Sequence, residues 1–252
     1  MAEAFVYGFH AVVGRIRQNP SGVLEVYLDR ERHDPRARDL LHLAQTQGVR
    51  VILAERHRLD GMAGHGRHQG VVARVEGAPQ YRDIAEVLDA VSEPPLLLVL
   101  DGVQDPHNLG ACLRVADAMG AHAVIAPKDR AAGLTPVARK VACGAAETVP
   151  FIAVTNLART LRELQEREIW VVGADGGAKD TLPAARLDGA MAWVLGAEGE
   201  GLRRLTRETC DQLLRIPMFG TVESLNVSVA AGICLYEARR QRGPGGLAAA
   251  RV

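Results

Sequence analysis

The stretch LLLVLDGVQDPHNLG, residues 96–110, decides the fold class of the second half of the chain. It opens with five consecutive apolar residues, which is typical of a strand buried on both faces of a parallel sheet. The apolar run ends at Asp101, and a polar loop and the start of a helical pattern follow. Ligands of open α/β sheets bind beyond the carboxyl ends of the strands, so this loop is a candidate binding loop.

Predicted strands and helices alternate along the rest of the chain. Strands are predicted over 96–100, 123–127, 149–154, 168–175, 191–198 and 212–218, and helices up to Gly120, over 135–144, over 156–167, from Leu202 and over 224–242. Repeated strand–helix alternation predicts an α/β domain with a parallel sheet covered on both faces. The last predicted helix begins with Ser, Asn and small residues, where a helix would usually carry large apolar residues.

The first 76 residues form a separate small α/β domain in this interpretation. Strands are predicted over 23–29, 49–54 and 70–76. A helix is predicted over 34–48, with Leu40, Leu41 and Ala44 on one face and Gly48 at its end. Residues 77–95, with Gly and Pro at both ends, are predicted to be a linker. The second domain then spans 96–242, and a disordered tail covers 243–252.

The composition of the 252 residues is that of a soluble globular protein, with 48% apolar and 24% charged residues. No apolar run reaches the roughly 18 residues of a membrane helix, and the N-terminus lacks an export-signal pattern. The four cysteines are scattered without C-x-x-C spacing (Cys112, Cys143, Cys210 and Cys234). This spacing argues against a zinc site or a disulfide framework, so the sequence predicts a cytoplasmic protein without a metal.

The charge distribution gives a weak indication of nucleic-acid binding. The formal net charge is zero, yet 27 of the 30 basic residues are arginines, whose planar fork suits phosphate. Six of the eight histidines and ten arginines lie before residue 70. A GC-rich genome is the favoured explanation of the arginine excess, and an ordinary solvated surface is the alternative explanation of the clustering.

A glycine-rich turn, GAEGEG at 196–201, comes late in the predicted sheet. The nicotinamide-binding fold and the ordinary methyltransferase fold carry their cofactor glycines early, directly after the first strand. The late position of the glycine-rich turn therefore counts against both folds. The turn taken alone also fits a tight connection between a strand and a helix.

Three loops at predicted strand ends carry polar groups that core packing does not require: 101–114, 196–201 and 216–228. Each candidate residue has an ordinary alternative. Arg114 fits a solvated helix arginine, Glu198 fits a charge near a helix N-terminus, and Ser224 to Ser228 fit a helix cap. One cap needs one such residue, whereas this segment offers three.

These loops resemble the three motifs of the SpoU (TrmH) family of RNA ribose 2′-O-methyltransferases. The matching segments are DPHNLGACLR (105–114), LGAEGEGL (195–202) and IPMFGTVESLNVSVA (216–230). The segments VYGFHAV (6–12) and RHQGVVA (67–73) are similar to the substrate-binding domain of the branch that methylates a guanosine in 23S ribosomal RNA. The resemblance covers nearly the whole chain.

The resemblance implies a C-terminal knotted, SPOUT-type trefoil domain with a parallel sheet, preceded by a small α/β RNA-binding domain. It implies S-adenosyl-L-methionine as cofactor, held mostly by backbone groups, and a homodimer formed through the C-terminal domain. The cofactor-binding residues implied by the motifs are Gly196, Gly201, Ile216, Met218 and Leu225.

The catalytic residues implied by the motifs are Asn108, Arg114, Glu198, Ser224 and Asn226. Because a guanidinium rarely gives up its proton, an electrostatic role for Arg114 is favoured over a role as base. Glu198 is expected to hold either Arg114 or the loop, and Asn108 to orient the substrate or Arg114.

Alternative functions remain open from the sequence. They are a tRNA or antibiotic-resistance ribose methyltransferase of the same family, a catalytically inactive RNA-binding homologue, and a nucleotide-dependent oxidoreductase. The intact motif residues weigh against an inactive homologue, and the late glycine turn weighs against an oxidoreductase.

Overall fold

The structure is a computed structural model that describes residues 3–64, 68–76, 81 and 83–243. The chain divides into two compact units, Met1–Gln80 and Tyr81–Val252. No helix within the described ranges is long and apolar enough to cross a membrane.

The first unit is a four-stranded sheet in the order β1-β4-β2-β3. Its elements are β1 (Glu3–Tyr7), α1 (Phe9–Gln18), β2 (Val23–Asp29), α2 (Pro35–Thr46), β3 (Val51–Ala54), α3 (Arg56–Ala63) and β4 (Val71–Glu76). β4 pairs antiparallel with β1 and β2, while β2 pairs parallel with β3. α1 and α2 cover one face of the sheet, and α3 packs on part of the other face.

The helix predicted over 34–48 is α2, and it begins where the Asp34 carboxylate accepts the N–H of Arg36. Leu40 and Ala44 are fully buried, as predicted. The prediction for Leu41 was wrong, since this side chain is 38% exposed. Residues 40 and 41 differ by about 100° around a helix, and here the buried stripe is centred on Leu40 and Ala44, which leaves Leu41 at its edge.

The second unit contains a seven-stranded sheet in the order β7-β6-β5-β10-β8-β11-β9. Its strands are β5 (Leu96–Asp101), β6 (Ala123–Pro127), β7 (Phe151–Val154), β8 (Trp170–Ala174), β9 (Asp180–Thr181), β10 (Met191–Gly196) and β11 (Gln212–Arg215). All of its strand pairs are parallel. The predicted parallel α/β sheet is therefore confirmed.

The helices of the second unit are α4 (Ile84–Ala90), α5 (Pro106–Ala118), α6 (Pro136–Ala142), α7 (Leu157–Glu166), α8 (Arg204–Thr209) and α9 (Val227–Gln241). α5, α6 and α9 pack on one face of the sheet, and α4 and α7 pack on the other. Every residue of β5 is buried, which is the environment that its continuous apolar run predicts.

The segment predicted to be a linker, 77–95, contains α4. Ile84 and Val87 of this helix are buried in the core of the second unit, so this part of the segment belongs to that unit. Residues 77–80 and 82 lie outside the described residues, as do Arg67 of the second N-terminal segment and 244–252 of the predicted tail.

Element ends around the polar loops differ from the predictions, and the strand predicted over 191–198 ends at Gly196. The strand predicted over 212–218 ends at Arg215, and the helix predicted from 224 begins at Val227. Residues 216–226 therefore form the loop between β11 and α9, which agrees closely with the polar loop predicted over 216–228. The register of β10 on β5 places Gly196 opposite Asp101, so the glycine turn and the loop after β5 leave the same edge of the sheet.

Candidate active site

Three polar side chains from the three loops form one hydrogen-bonded network. Asn226 donates from Nδ2 to Asn108 Oδ1 at 2.9 Å and to Glu198 Oε1 at 2.7 Å. Asn108 also donates from Nδ2 to Glu198 Oε1, at 3.2 Å. The predicted convergence of Asn108, Glu198 and Asn226 is thus present in the fold, over sequence separations of 28 to 118 residues.

Asn226 also caps the last helix. Its Oδ1 accepts the N–H of Ser228 at 2.9 Å and the Ser228 hydroxyl at 2.6 Å. The carbonyl group of its amide caps α9 while the NH₂ group bridges the other two loops. The cap interpretation of this residue is confirmed, and the cap leaves Asn226 able to join the three loops, because each half of the amide has its own partners.

Glu198 holds the third loop rather than Arg114. Its Oε1 also lies 3.4 Å from the backbone N of Val227, the first residue of α9. A carboxylate at the N-terminus of a helix is favoured by the helix dipole. Among the described residues, the hydrogen bonds of Glu198 go to Asn108, Asn226 and Val227 only, so of the two predicted roles the structure supports the one that fixes the loop.

The glycine turn requires glycine at Gly196 for steric reasons. A Cβ atom there would lie 2.0 Å from the carbonyl carbon of Gly201, and the backbone cannot shift far enough to relieve this overlap. Gly199 and Gly201 adopt φ values of 82° and 68°, a region that favours glycine. The turn is closed by a 2.9 Å hydrogen bond from the N–H of Gly201 to the carbonyl oxygen of Ala197.

An ion pair between buried Asp101 and half-exposed Arg203, which the sequence did not predict, holds the far end of this turn. Asp101 is fully buried at the end of β5 and accepts the backbone N–H of Arg203 at 2.9 Å and its Nε–H at 2.5 Å. Arg203 is the residue before α8. The sequence feature that could have indicated this ion pair is the carboxylate of Asp101 at the end of an apolar strand. A buried charge requires a partner, so a cation was to be expected nearby.

Arg114 lies exposed on α5, two turns after Asn108. Its hydrogen bond among the described residues runs from Nη1 to Cys143 Sγ at 3.9 Å, and sulfur is a weak acceptor. No carboxylate of the described residues forms an ion pair with it. The guanidinium is therefore available to an anionic ligand.

Three residues predicted to bind a cofactor lie in the loop between β11 and α9. Ile216 and Leu225 are half-buried, and Met218 is 38% exposed. Backbone groups of residues 217–225 form no hydrogen bond with other backbone groups within the described part of the chain. Ser224 is exposed and likewise has no hydrogen-bond partner there.

Two features limit the chemistry of this site. Burial raises the pKa of the Cys112 thiol to about 12, and the nearby charge of Glu198 adds to the effect, so this thiol stays protonated near neutral pH. Within the described ranges, no group of three or more His, Cys, Asp or Glu side chains has the arrangement of a metal site.

Comparison with known proteins identifies the family. Residues 95–236 match the sequence model described as the SpoU rRNA Methylase family, and residues 5–81 match the model described as RNA 2′-O ribose methyltransferase substrate binding.

Related proteins agree with these matches over nearly the whole chain. The chain is 60% identical to the 23S rRNA (guanosine-2′-O-)-methyltransferase RlmB of Nitrosomonas europaea, over 94% of this chain and 91% of that protein. It is 60% identical to the protein of the same name from Ralstonia nicotianae, over 93% and 94%. The solved SpoU methyltransferase AviRb of Streptomyces viridochromogenes, in complex with AdoMet, is 28% identical with a TM-score of 0.67, over 95% and 90%. The chain is thus a member of the SpoU rRNA methylase family.

Proposed function

We propose that this protein transfers the methyl group of S-adenosylmethionine to the ribose 2′-hydroxyl of a guanosine in 23S ribosomal RNA. The observation that carries the proposal is the network of Asn108, Glu198 and Asn226, which joins all three family motifs at one edge of the sheet. The names of the relatives that are 60% identical supply the substrate and the position of the methyl group.

The loops fit a cofactor that is held by backbone groups. At Gly196 the glycine turn brings bare main chain to the edge of the sheet, because no Cβ atom fits there, and the loop 217–225 keeps its backbone donors and acceptors free of other backbone groups. We assign cofactor contacts to Gly196, Gly201, Ile216, Met218 and Leu225. When bound, S-adenosylmethionine supplies an electrophilic methyl group on a sulfonium.

The protein's own residues must align the 2′-hydroxyl and stabilise the negative charge that develops on its oxygen. Arg114 provides a fixed positive charge for this oxygen or for the adjacent phosphate, and such stabilisation contributes about 3 to 4 kcal/mol in other enzymes. Asn108 and Asn226 are held rigid by Glu198, so their site is organised before the substrate arrives. Ser224, exposed on the same loop, is assigned to the ribose.

A threaded C-terminal segment is part of the proposal. Arg242, just after α9, donates to the carbonyl oxygens of Pro94, Pro95 and Gly189 at 2.7 to 2.9 Å. Gln241 donates to Ala185 O at 3.0 Å and accepts the N–H of Leu187 at 2.8 Å. The end of α9 is thus bonded to two segments distant in sequence, 94–95 and 185–189, which supports the trefoil knot of the SPOUT type that the family resemblance implies.

We further propose a homodimer formed through the second unit. α9 carries two large side chains, Val229 and Tyr236, that are 50% and 52% exposed. Phe219, in the loop before α9, is 98% exposed. A second copy of this surface would bury these side chains close to the proposed site. In this proposal the first unit binds the RNA and the second unit catalyses methyl transfer. The free cysteines and an rRNA substrate favour the cytoplasm as the compartment.

An assay with purified components tests the activity. The full chain is incubated with methyl-labelled S-adenosylmethionine and either unmodified 23S rRNA or a tRNA mixture. We expect label on the 2′-oxygen of one guanosine in 23S rRNA. An RNA fragment carrying 2′-deoxyguanosine at the mapped position serves as the control and should accept no label. Label on tRNA alone, or on a base, would contradict the proposal.

A further inference from the structure

We infer that the exposed face of the first sheet is a base-stacking platform built from Phe5 and Tyr7. The inference rests on the proposed function, because it assigns the surface with which the first unit holds the RNA. The platform consists of these two rings on β1 and the guanidinium of Arg74 beside them on β4.

The pairing of the strands fixes this layout. Ala4 and Val6 of β1 point into the core formed with α1 and α2, so the alternate residues Phe5 and Tyr7 point to the opposite face. The two rings are 41% and 37% exposed, although aromatic residues make up only 4% of the whole chain. Side chains two residues apart on one strand lie about 7 Å apart, a spacing that suits two neighbouring unstacked bases.

The second strand completes the surface. Phe5 is paired with Arg74 and Tyr7 with Val72, and on the far side of β4 these residues are paired with Glu25 and Tyr27. α3 packs on Val72 and Tyr27, the row to which Tyr7 belongs, and it also approaches β1. Phe5 and more than a third of the Tyr7 side chain remain open to a ligand.

The charges of this face favour bases over phosphates as the occupant. Arg74 is held by Glu3 at 3.0 Å and by Glu25 at 2.9 Å, and Arg50 is held by Glu25 at 3.3 Å. The cations beside the rings are therefore neutralised by carboxylates. Such a surface gives little attraction to the RNA backbone but offers planar apolar rings, and single-stranded RNA is commonly recognised by stacking of bases on aromatic side chains.

RNA as the partner is supported by the match of residues 5–81 to a substrate-binding family of RNA ribose methyltransferases. A different RNA-binding surface is available on the same unit, at the corner where Arg32 lies 4.7 Å over the ring of Phe9. Exposed Arg30, His33 and Arg36 lie within four residues of Arg32 in the sequence and would bind phosphates. The two surfaces differ in the salt dependence of binding that they predict, because only phosphate contacts release counterions.

The test uses the full chain with both rings replaced by isoleucine, Phe5→Ile with Tyr7→Ile. Isoleucine keeps apolar area and favours a strand, yet removes the flat ring. Leu53→Ala is the matched control, since Leu53 is 58% exposed on β3, the other edge of the same sheet. RNA affinity is measured with unmodified 23S rRNA over a series of salt concentrations, together with methyl transfer at saturating RNA.

We expect the double variant to bind at least about tenfold more weakly, since stacking of one base contributes about 1–3 kcal/mol, or roughly 5- to 150-fold. The slope of log affinity against log salt and the rate at saturating RNA should stay at wild-type values, and Leu53→Ala should behave as wild type. An unchanged affinity, or a loss accompanied by a shallower salt slope, would overturn the platform. A change in oligomeric state with unchanged RNA affinity would identify the face as a contact between copies and would also overturn it.

Ultraviolet crosslinking of the wild-type chain to the same RNA provides a readout that needs no variant. Peptides crosslinked at Phe5 or Tyr7 are expected in the mass spectrum. Crosslinks confined to other residues of the first unit would overturn the platform even where the double variant fails to fold. If wild-type protein neither binds nor methylates 23S rRNA, the proposed function itself fails. If wild type is active and the variant is indistinguishable from it, only the platform fails.

Discussion

Asn226 donates a hydrogen bond from Nδ2 to Glu198 Oε1 at 2.7 Å, which joins the loop before the last helix to the glycine turn. The same carboxylate oxygen accepts from Asn108. One negative charge therefore organises groups from three separate loops, and its removal should affect both the loops and the reaction.

Replacing Glu198 by glutamine should weaken the hydrogen bonds of this network without removing all of them. The amide oxygen can still accept from Asn226, but a hydrogen bond to a neutral acceptor contributes about 1 kcal/mol less than one to a charged acceptor. We expect about a fivefold loss of kcat/KM, measured by methyl transfer to 23S rRNA. Glu200→Gln is the control, because Glu200 lies exposed in the same turn without a hydrogen bond to any described residue. Equal losses in both variants would contradict the assigned role.

The two functions of Asn226 can be separated by substitution. Serine caps helices about as well as asparagine, whereas alanine costs about 1 kcal/mol at such a position. Asn226→Ser should therefore keep the thermal stability of the wild type yet lose at least about tenfold in activity, because serine cannot reach both Asn108 and Glu198. Asn226→Ala should lose stability as well. Full activity of Asn226→Ser would show that the residue is only a cap.

The role of Arg114 is tested by retaining or removing its charge. Arg114→Ala should lower kcat by about 100-fold or more, as loss of a group that stabilises a developing oxyanion does in other enzymes. Arg114→Lys should retain partial activity, since charge is kept while the planar fork is lost. Arg162→Ala, on the exposed side of α7, is the control for loss of a surface arginine. A lysine variant as inactive as the alanine variant, with RNA affinity unchanged, would favour a role that needs guanidinium geometry, such as a base.

The stability of the second unit should fall as the pH is lowered. Burial lowers the pKa of His122 below its ordinary value of 6.5, despite the neighbouring Glu93 carboxylate. In the neutral ring, Nδ1 accepts the N–H of Leu96 at 3.0 Å, while Nε2 lies 3.0 Å from Glu93 Oε1. Protonation would make Nδ1 a donor as well, so that it would face the N–H of Leu96 without an acceptor between them. The unfolded chain binds this proton more readily than the folded one.

The contribution of neutral His122 is consequently complete above about pH 6.5 and declines as the pH falls towards the lowered pKa of the folded state. Denaturant unfolding of wild type and of His122→Gln between pH 5 and pH 8 measures this contribution. We expect the free energy of unfolding of the wild type to fall more steeply below about pH 6.5. Parallel curves would contradict the role of the imidazole.

Two helical glycines of the second unit should respond to alanine in opposite directions. A Cβ atom at Gly232 of α9 would make an ordinary 3.7 Å contact with Val115, so Gly232→Ala should stabilise the protein by about 0.5–1 kcal/mol. A Cβ atom at Gly110 of α5 would lie 2.5 Å from the carbonyl oxygen of Ala138 on α6. Gly110→Ala should therefore lower the melting temperature, and equal effects of the two substitutions would contradict the packing described.

The small residues at the start of α9 thus have different causes. Ala231 is fully buried against the core, where a larger side chain would need space that is already filled. Gly232 has room for a methyl group, so close packing does not explain its identity.

The sheet of the second unit is predictable because a continuous apolar run such as that of β5 has few other stable environments. β1 and α3 are harder to predict. α3 buries one residue fully, Leu59, and offers little amphipathic pattern. β1 is five residues long and pairs with a strand almost 70 residues away, so nothing local defines it.

The candidate site divides in the same way. Asn108, Glu198 and Asn226 can be predicted as a group because each stands in a recognisable motif at a strand end. The ion pair of Asp101 and Arg203 cannot be predicted from local pattern, since it depends on the register that places β10 beside β5. The bond of Arg114 to Cys143 depends in turn on how α6 packs against α5.

The most direct test of the central claim is a map of 2′-O-methylation on the RNA of cells that lack this protein. We expect one methylated guanosine to disappear from 23S rRNA, to return when the wild-type chain is supplied, and to stay absent when the Arg114→Ala chain is supplied at the same level. Intact methylation of 23S rRNA, together with a missing methyl group on tRNA, would contradict the claim.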